Sequence, residues 1–113
     1  MEIITDKISK QRLTEMAEKM FGNLVKGVVD VEKQIMAVDG ELHADLQAYL
    51  IESGSNWQNL WGISLHPKKQ GQNFIEFDSL INIRPSQNNR SRGVDDVKIQ
   101  EKIINIANKL VQK

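Results

Sequence analysis

The stretch LVKGVVDVEKQIMAV, residues 24–38, decides the fold that we expect for this chain. Residues 24–31 and 34–38 are short, mainly apolar segments, which is typical of strands. The polar pair Glu32 and Lys33 separates them, so the two strands are predicted to be joined at this point. Asp39-Gly40 follows directly and favours a tight turn.

Both ends of the chain have helical periodicity instead. Apolar residues recur on one face of a helix predicted from Lys10 to Phe21, with Ser9 as its N-terminal cap. A second helix is predicted from Val97 to Val111, and Asp96 is the expected cap.

Two further strands are predicted between residue 60 and Pro85. Residues 60–65 form an apolar run, and residues 66–73 form a polar loop. Residues 75–84 alternate between apolar and mostly polar side chains, which predicts a half-buried antiparallel strand that ends at Pro85.

Residues 41–52 fit two structures. Strict alternation over residues 42–50 favours a strand, and the turn at Asp39-Gly40 favours a hairpin leading into it. The segment also consists of good helix formers, and Gly54 stands where a helix would end. The strand is preferred here, and the helix remains the alternative.

Together these elements predict a single α+β domain over residues 1–113. Its antiparallel meander sheet has four to five strands and is flanked by an N-terminal and a C-terminal helix. The chain has no cysteine, 40% hydrophobic and 27% charged residues, a composition typical of a soluble globular protein. Without a membrane segment or signal peptide, a cytoplasmic location and no contact with membrane are expected.

The net charge of zero is unevenly distributed. Residues 26–52 carry a formal charge of −4, and residues 84–113 carry +4. Such asymmetry fits an anion-binding end, but it also fits two faces of one protein that attract each other.

The positive end contains a loop, Arg84 to Gly93, that has three arginines and no carboxylate. Arginine and neutral amide or hydroxyl groups suit an anion such as phosphate. Lys68 or Lys69 would join the site if the 66–73 loop lies alongside. The alternative is a loop held by its own hydrogen bonds, with the arginines paired to Asp95, Asp96 or the acidic middle of the chain. The candidate ligand-binding residues are Arg84, Ser86, Gln87, Asn89, Arg90, Ser91 and Arg92.

A second group of polar residues lies on the predicted strands. His43 and Asp45 are two residues apart, as are Glu76 and Asp78, so the four are candidate catalytic residues if their strands are neighbours. Carboxylates would suit Mg²⁺ or Mn²⁺, whereas a solvated sheet face would look the same. If residues 41–52 are helical, this arrangement does not form. Familiar nucleotide, nucleophile and metal motifs are absent, so no cofactor or metal site is expected.

Three functions remain open. The leading hypothesis is a module that binds an anion, a phosphate-bearing ligand or nucleic acid through the arginine loop. The second is a small phosphodiesterase or RNase of the toxin type, metal-independent or Mg-dependent, with His43 as general base or acid. The third is a homodimer formed through a sheet edge or the apolar residues Tyr49, Ile51 and Leu80. Trp57, in a polar setting, is a candidate for an exposed contact with a partner.

Three motifs, GELHAD at 40–45, LWGI at 60–63 and INIRPSQ at 81–87 continuing to NRS at 89–91, resemble a small family of prokaryotic proteins of about 110 residues with a domain of unknown function. The resemblance covers nearly the whole chain. It implies a compact stand-alone domain and carries over no catalytic residues. Asp96-Val97 replaces the Asp-Pro expected at the start of the last helix, which affects only the helix boundary.

Overall fold

The computed structural model describes residues 1–112; Lys113, the last residue of the predicted domain, lies outside the described residues. The described chain is an α+β fold, so the predicted fold class is confirmed. Its helices are α1 (Lys10–Met20), α2 (His43–Glu52) and α3 (Val97–Leu110). Its strands are β1 (Glu2–Ile4), β2 (Ile8–Ser9), β3 (Val25–Asp30), β4 (Ile35–Val38), β5 (Leu60–Leu65), β6 (Ile75–Glu76) and β7 (Val111–Gln112).

Five of the strands form one antiparallel sheet in the order β1-β4-β3-β5-β6. The predicted pairing of β3 with β4 is confirmed, with Val28 opposite Ala37. Asp30 shapes the connection because its Oδ1 accepts hydrogen bonds from the backbone N–H groups of Glu32 and Lys33, each at 2.9 Å. β2 and β7 form a separate parallel pair.

The two terminal helices are confirmed and cover one face of the sheet. Ser9 Oγ accepts a hydrogen bond from Arg12 N at 3.1 Å, and Asp96 Oδ1 accepts one from Lys98 N at 2.8 Å. The helices and the sheet bury a common apolar core. Its members include Leu13, Met16, Val29, Met36, Trp61, Ile63, Leu65, Ile103 and Leu110.

The strand prediction for residues 41–52 is wrong, because α2 occupies this segment. The buried residues of α2 are His43, Leu46 and Leu50, which recur at helical spacing, whereas Leu42 in the alternating pattern is exposed. Gly54 ends the helix with a φ of 107°, and Ser55 N donates to Leu50 O at 2.9 Å.

α2 packs on the second face of the sheet, which therefore is not the solvated polar face expected from the sequence. A smaller apolar core lies between them and contains Val28, Ala37, Leu46, Leu50 and Leu60. Because both faces are covered, all six residues of β5 are buried. Within residues 1–112 no helix has the length and apolar character needed to cross a membrane.

The strand predicted over residues 75–84 is also wrong beyond its first two residues. β6 ends at Glu76, and a 3-10 turn over Leu80–Asn82 begins with Ser79 Oγ accepting from Ile81 N at 3.3 Å. Burial does not follow the alternation, because Asn82 and Arg84 of the expected polar face are buried, whereas Leu80 of the same face is exposed.

Polar side chains replace the missing strand along the outer edge of β5. Beyond the point where β6 pairs with Ser64, the amide of Asn82 accepts from Gly62 N at 2.8 Å and donates to Gly62 O at 2.9 Å. Two residues further along, the guanidinium of Arg84 donates to Leu60 O. The backbone of β5 is thereby satisfied without a neighbouring strand.

Candidate functional site

A cleft of about 470 Å³ lies at the N-terminus of α2, and we call it the His43 cleft. Four of the candidate catalytic and ligand-binding residues line it, namely His43, Glu76, Asp78 and Arg92. Lys26 and Ser64, from neighbouring strands, lie on the same wall. The structure thus brings one arginine of the loop to three of the four candidate catalytic residues.

His43 is the first residue of α2 and is 9% exposed. Its Nε2 lies 2.8 Å from Ile63 O. A carbonyl oxygen only accepts, so Nε2 carries the proton and Nδ1 has the free lone pair of a neutral imidazole. Among residues 1–112 no group forms a hydrogen bond with this Nδ1.

Burial lowers the pKa of His43 below its ordinary value, and this outweighs the hydrogen bond to Ile63 O, which acts in the opposite direction. The positive charges of Lys26 and Arg92 lower the pKa further, while Asp78 raises it. His43 is therefore neutral at pH 7, and it can accept a proton or a hydrogen bond.

Close packing against Gly62 fixes the floor of the cleft. A Cβ atom on Gly62 would lie 2.5 Å from Ser79 Cβ and 3.2 Å from His43 Cδ2. Only glycine lets both residues approach β5 this closely. The LWGI motif therefore has a direct structural role in positioning His43.

Arg92 is held by Asp78, whose Oδ1 accepts from Arg92 Nε at 2.7 Å. Both side chains remain about half exposed, so the pair itself adds little stability. Among residues 1–112 the two terminal nitrogens of Arg92, Nη1 and Nη2, have no hydrogen-bond partner. Through two such nitrogens an arginine can donate a pair of hydrogen bonds to a phosphate or carboxylate.

Two further positive groups face the same region. Lys26 lines the cleft, and its Nζ lies 4.8 Å from the ring centre of Phe21 without a hydrogen-bond partner in residues 1–112. Leu42, the N-cap residue of α2, provides no side-chain cap, so the backbone N–H groups of His43 and Ala44 and the positive end of the helix dipole remain available. The next amide, Asp45 N, donates to Leu42 O at 3.1 Å. The carboxylates of Asp78 and Glu76 balance the cations, and Glu76 Oε1 lies 3.0 Å from His66 Nε2.

Arg84 occupies a different environment from the other two arginines. It is buried, and its guanidinium donates to the backbone carbonyls of Ile81 at 3.0 Å and of Leu60. The guanidinium carbon lies 4.5 Å from the ring centre of Trp61 and 5.5 Å from that of Trp57. Burial lowers the pKa of Arg84. Its donors are directed at the protein's own backbone.

The rest of the arginine loop is held mainly by its own polar groups. Asn89 is buried and donates to the carbonyls of Asn82, Ser91 and Gly93 at 2.7 to 3.2 Å. Ser91 Oγ donates to Asp95 Oδ1 at 2.6 Å, and this bond lowers the pKa of Asp95. Ser86 and Arg90 are exposed, and Gln87 Nε2 donates to Gln58 O at 3.1 Å.

Several other candidates lie away from the His43 cleft. Asp45 is an exposed residue of the first turn of α2 and does not line the cleft. Lys68 and Lys69 are exposed in the 66–73 loop, which does not line the cleft. Trp57 is 43% exposed and stacks on Arg84. Of the proposed dimer residues, Leu80 lines the cleft, whereas Tyr49 and Ile51 belong to the last turns of α2.

A larger cleft of about 1160 Å³ separates α3 from residues 70–77. Among residues 1–112, Lys10 is the one ionisable residue that lines it, and the other polar lining groups include the side-chain amides of Gln100 and Asn108. The titratable groups therefore lie in the smaller cleft, which is the better candidate site. Within residues 1–112 no three His, Cys, Asp or Glu side chains are grouped to hold a metal ion.

A comparison with protein families matches residues 2–110 to the family described as "Protein of unknown function (DUF5674)". The chain belongs to this family. The match confirms a domain of unknown function of about 110 residues in this DUF5674 chain. No curated protein and no solved structure matches it.

Lys26 and the N-terminus of α2 are two parts of the site that were not predicted from the sequence. Lys26 is the polar residue in the otherwise apolar segment 24–29, and this was the available signal. The N-terminus of α2 could not be predicted as long as the alternation over residues 42–50 favoured a strand, although Gly54 indicates the end of a helix.

Proposed function

We propose that the protein binds a small phosphate-bearing anion in the His43 cleft. The observation that carries the proposal is Arg92, which Asp78 holds through Nε while Nη1 and Nη2 remain without a partner among residues 1–112. Lys26 and the uncapped start of α2 line the same cleft and supply further donors. We propose a cytoplasmic location for the protein, as expected from the sequence.

A small anion is better supported than a nucleic acid. Arg84 is committed to carbonyl groups of β5 and its neighbours, so only Arg90 and Arg92 of the loop remain for phosphates. Two such contacts would give a salt dependence of log K with a slope of roughly −1.5, far shallower than that of typical nucleic-acid binders.

An NMR titration with inorganic phosphate at constant ionic strength tests the proposal. We expect the amide signals of His43, Ala44 and Arg92 to shift, with a Kd on the order of 1 mM, because the cleft carries no net charge. Arg92→Gln should weaken binding at least tenfold. Arg90→Gln changes an exposed arginine two residues away and should leave Kd unchanged, and equal effects of the two variants would contradict the assignment.

A second candidate function is metal-independent phosphodiester hydrolysis with His43 as general base. The observation in its favour is the neutral imidazole of His43, which has a fixed tautomer and an Nδ1 without a partner in residues 1–112. In this reaction Nδ1 takes the proton of an attacking water or ribose hydroxyl as its oxygen bonds to phosphorus. The bond from phosphorus to the leaving oxygen breaks, the leaving oxygen takes a proton from water, and Arg92 stabilises the charge that develops on the other phosphorus oxygens.

Hydrolysis of bis(p-nitrophenyl) phosphate distinguishes the two functions. Activity that disappears in His43→Gln and is independent of pH above about 6.5 would support catalysis, because the imidazole is already neutral there. Phosphate binding without turnover would leave binding as the function.

A further inference from the structure

The His43 cleft combines its charged groups with an unusually apolar rim. Leu80, Leu42 and Phe21 are 68%, 55% and 39% exposed, and all three line this cleft. The remaining large exposed apolar side chains of residues 1–112 lie outside it, namely Met1, Met20, Ile51, Trp57, Ile83 and Val97. Single exposed apolar residues are ordinary, but a group around one polar centre indicates a binding surface.

The charged and apolar parts meet directly at Lys26. Its ammonium group lies 4.8 Å from the ring centre of Phe21, so a positive charge borders the apolar rim. On another wall Leu80 follows the buried Ser79, and the 3-10 turn that begins there directs Leu80 to solvent. Leu42 directly precedes His43 at the start of α2.

We infer that the ligand of the His43 cleft is an amphiphilic phosphate monoester, with its phosphate at Arg92 and Lys26 and an alkyl or aryl group on Phe21, Leu42 and Leu80. This inference rests on the proposed function and specifies its ligand class. The terminal nitrogens of Arg92 and the ammonium group of Lys26, which have no hydrogen-bond partner among residues 1–112, supply the phosphate site. The alkyl or aryl group covers the exposed side chains of the apolar rim. A volume of about 470 Å³ suits a phosphate with a short chain.

Calorimetric titration with methyl, butyl and hexyl phosphate, each below its micelle concentration, tests the inference. Burial of a methylene group is worth about 0.8 kcal/mol, which corresponds to a roughly fourfold change in Kd. In an open cleft we expect a two- to fourfold gain per methylene. Leu42→Ala combined with Leu80→Ser should remove this gain but leave the Kd of methyl phosphate unchanged, because alanine at position 42 adds no side-chain cap to the start of α2.

Val97→Ser is the matched control, since Val97 is 62% exposed and lies outside the cleft. It should retain the full dependence on chain length. Circular dichroism checks that all variants are folded, which we expect because the changed side chains are exposed.

The possible failures are distinguishable. Equal Kd values for the three esters would overturn the amphiphile and leave the phosphate site standing. Hexanol binding as tightly as hexyl phosphate would overturn the proposed function as well. Binding only to vesicles that contain phosphatidic acid would replace the soluble ligand with a membrane headgroup. A dimer that Leu80→Ser dissociates, together with no binding of the esters, would assign the rim to a second copy of the chain.

Discussion

Replacement of Arg84 by Met tests whether the arginine loop takes the place of a strand. The guanidinium donates to Leu60 O and Ile81 O, and more weakly, at 3.4 Å, to Gln58 O. Methionine fills a similar volume but donates no hydrogen bond, so the carbonyls of Leu60 and Ile81 lose this donor, whereas Gln58 O keeps its hydrogen bond from Gln87 Nε2.

The expected loss follows from these contacts. Each buried carbonyl left unsatisfied costs roughly 1–3 kcal/mol, and the stacking on Trp61 adds about 1 kcal/mol. Relief from burying a charge without a carboxylate partner offsets part of this cost. We expect a net loss of about 3 kcal/mol in the free energy of unfolding, a large share of the roughly 5–15 kcal/mol typical of a domain.

Urea denaturation of Arg84→Met and Arg90→Met measures this difference. The two substitutions are chemically identical and lie in the same loop, but Arg90 is exposed and should change stability by less than about 0.5 kcal/mol. Equal stabilities of the two variants would refute the idea that Arg84 satisfies the edge of β5.

Three further predictions concern the residues Gly62, Asn82 and His43. Gly62→Ala should cost about 2 kcal/mol because its Cβ would lie 2.5 Å from Ser79 Cβ, whereas Gly27→Ala meets only contacts of 3.5 Å or more and should be nearly neutral in thermal melts. Asn82→Asp removes the donors to the carbonyls of Gly62 and Arg92 and should cost at least about 2 kcal/mol in urea denaturation; wild-type stability would contradict its role as a strand substitute. His43 is neutral in the folded state and has a lowered pKa, so its unfolded form binds a proton first, and stability should fall as the pH drops below about 6.5. His43→Gln should lose this part of the pH dependence, and parallel stability curves for the two proteins would contradict it.

The terminal helices and the β3–β4 hairpin were predictable because their signals are local. The cap residues Ser9 and Asp96 adjoin apolar stripes, and Asp30 closes its turn within three residues. In these segments helix capping, turn chemistry and hydrophobic periodicity all agree.

The two errors have a common physical origin. In residues 41–52 and 75–84 the alternation of apolar and polar residues predicts a strand, although the same residues are compatible with a helix or an irregular segment. Tertiary contacts decide between them, because α2 needs the apolar face of β3 and β5, and Asn82 needs the backbone of Gly62. Such partners are distant in sequence and leave no local signal.

Only part of the membership of the candidate site was predictable, and Asp45, Lys26 and the start of α2 were not placed correctly. The sequence singled out His43, Asp78 and Arg92, which line one cleft, but the sheet geometry assumed for them does not occur. Arg84 and Arg92 have the same chemistry and lie eight residues apart, yet one is buried against Trp61 and the other is half exposed. Only the packed structure distinguishes a structural arginine from one available to a ligand.

A crystal structure of the protein grown with tungstate, a heavy analogue of phosphate, tests the central claim most directly. The anomalous signal locates the anion without ambiguity. We predict one strong peak in the His43 cleft, within hydrogen-bond distance of Nη1 or Nη2 of Arg92 and near the first turn of α2. A peak at Arg90, or no peak in the cleft when tungstate is bound elsewhere, would contradict the account.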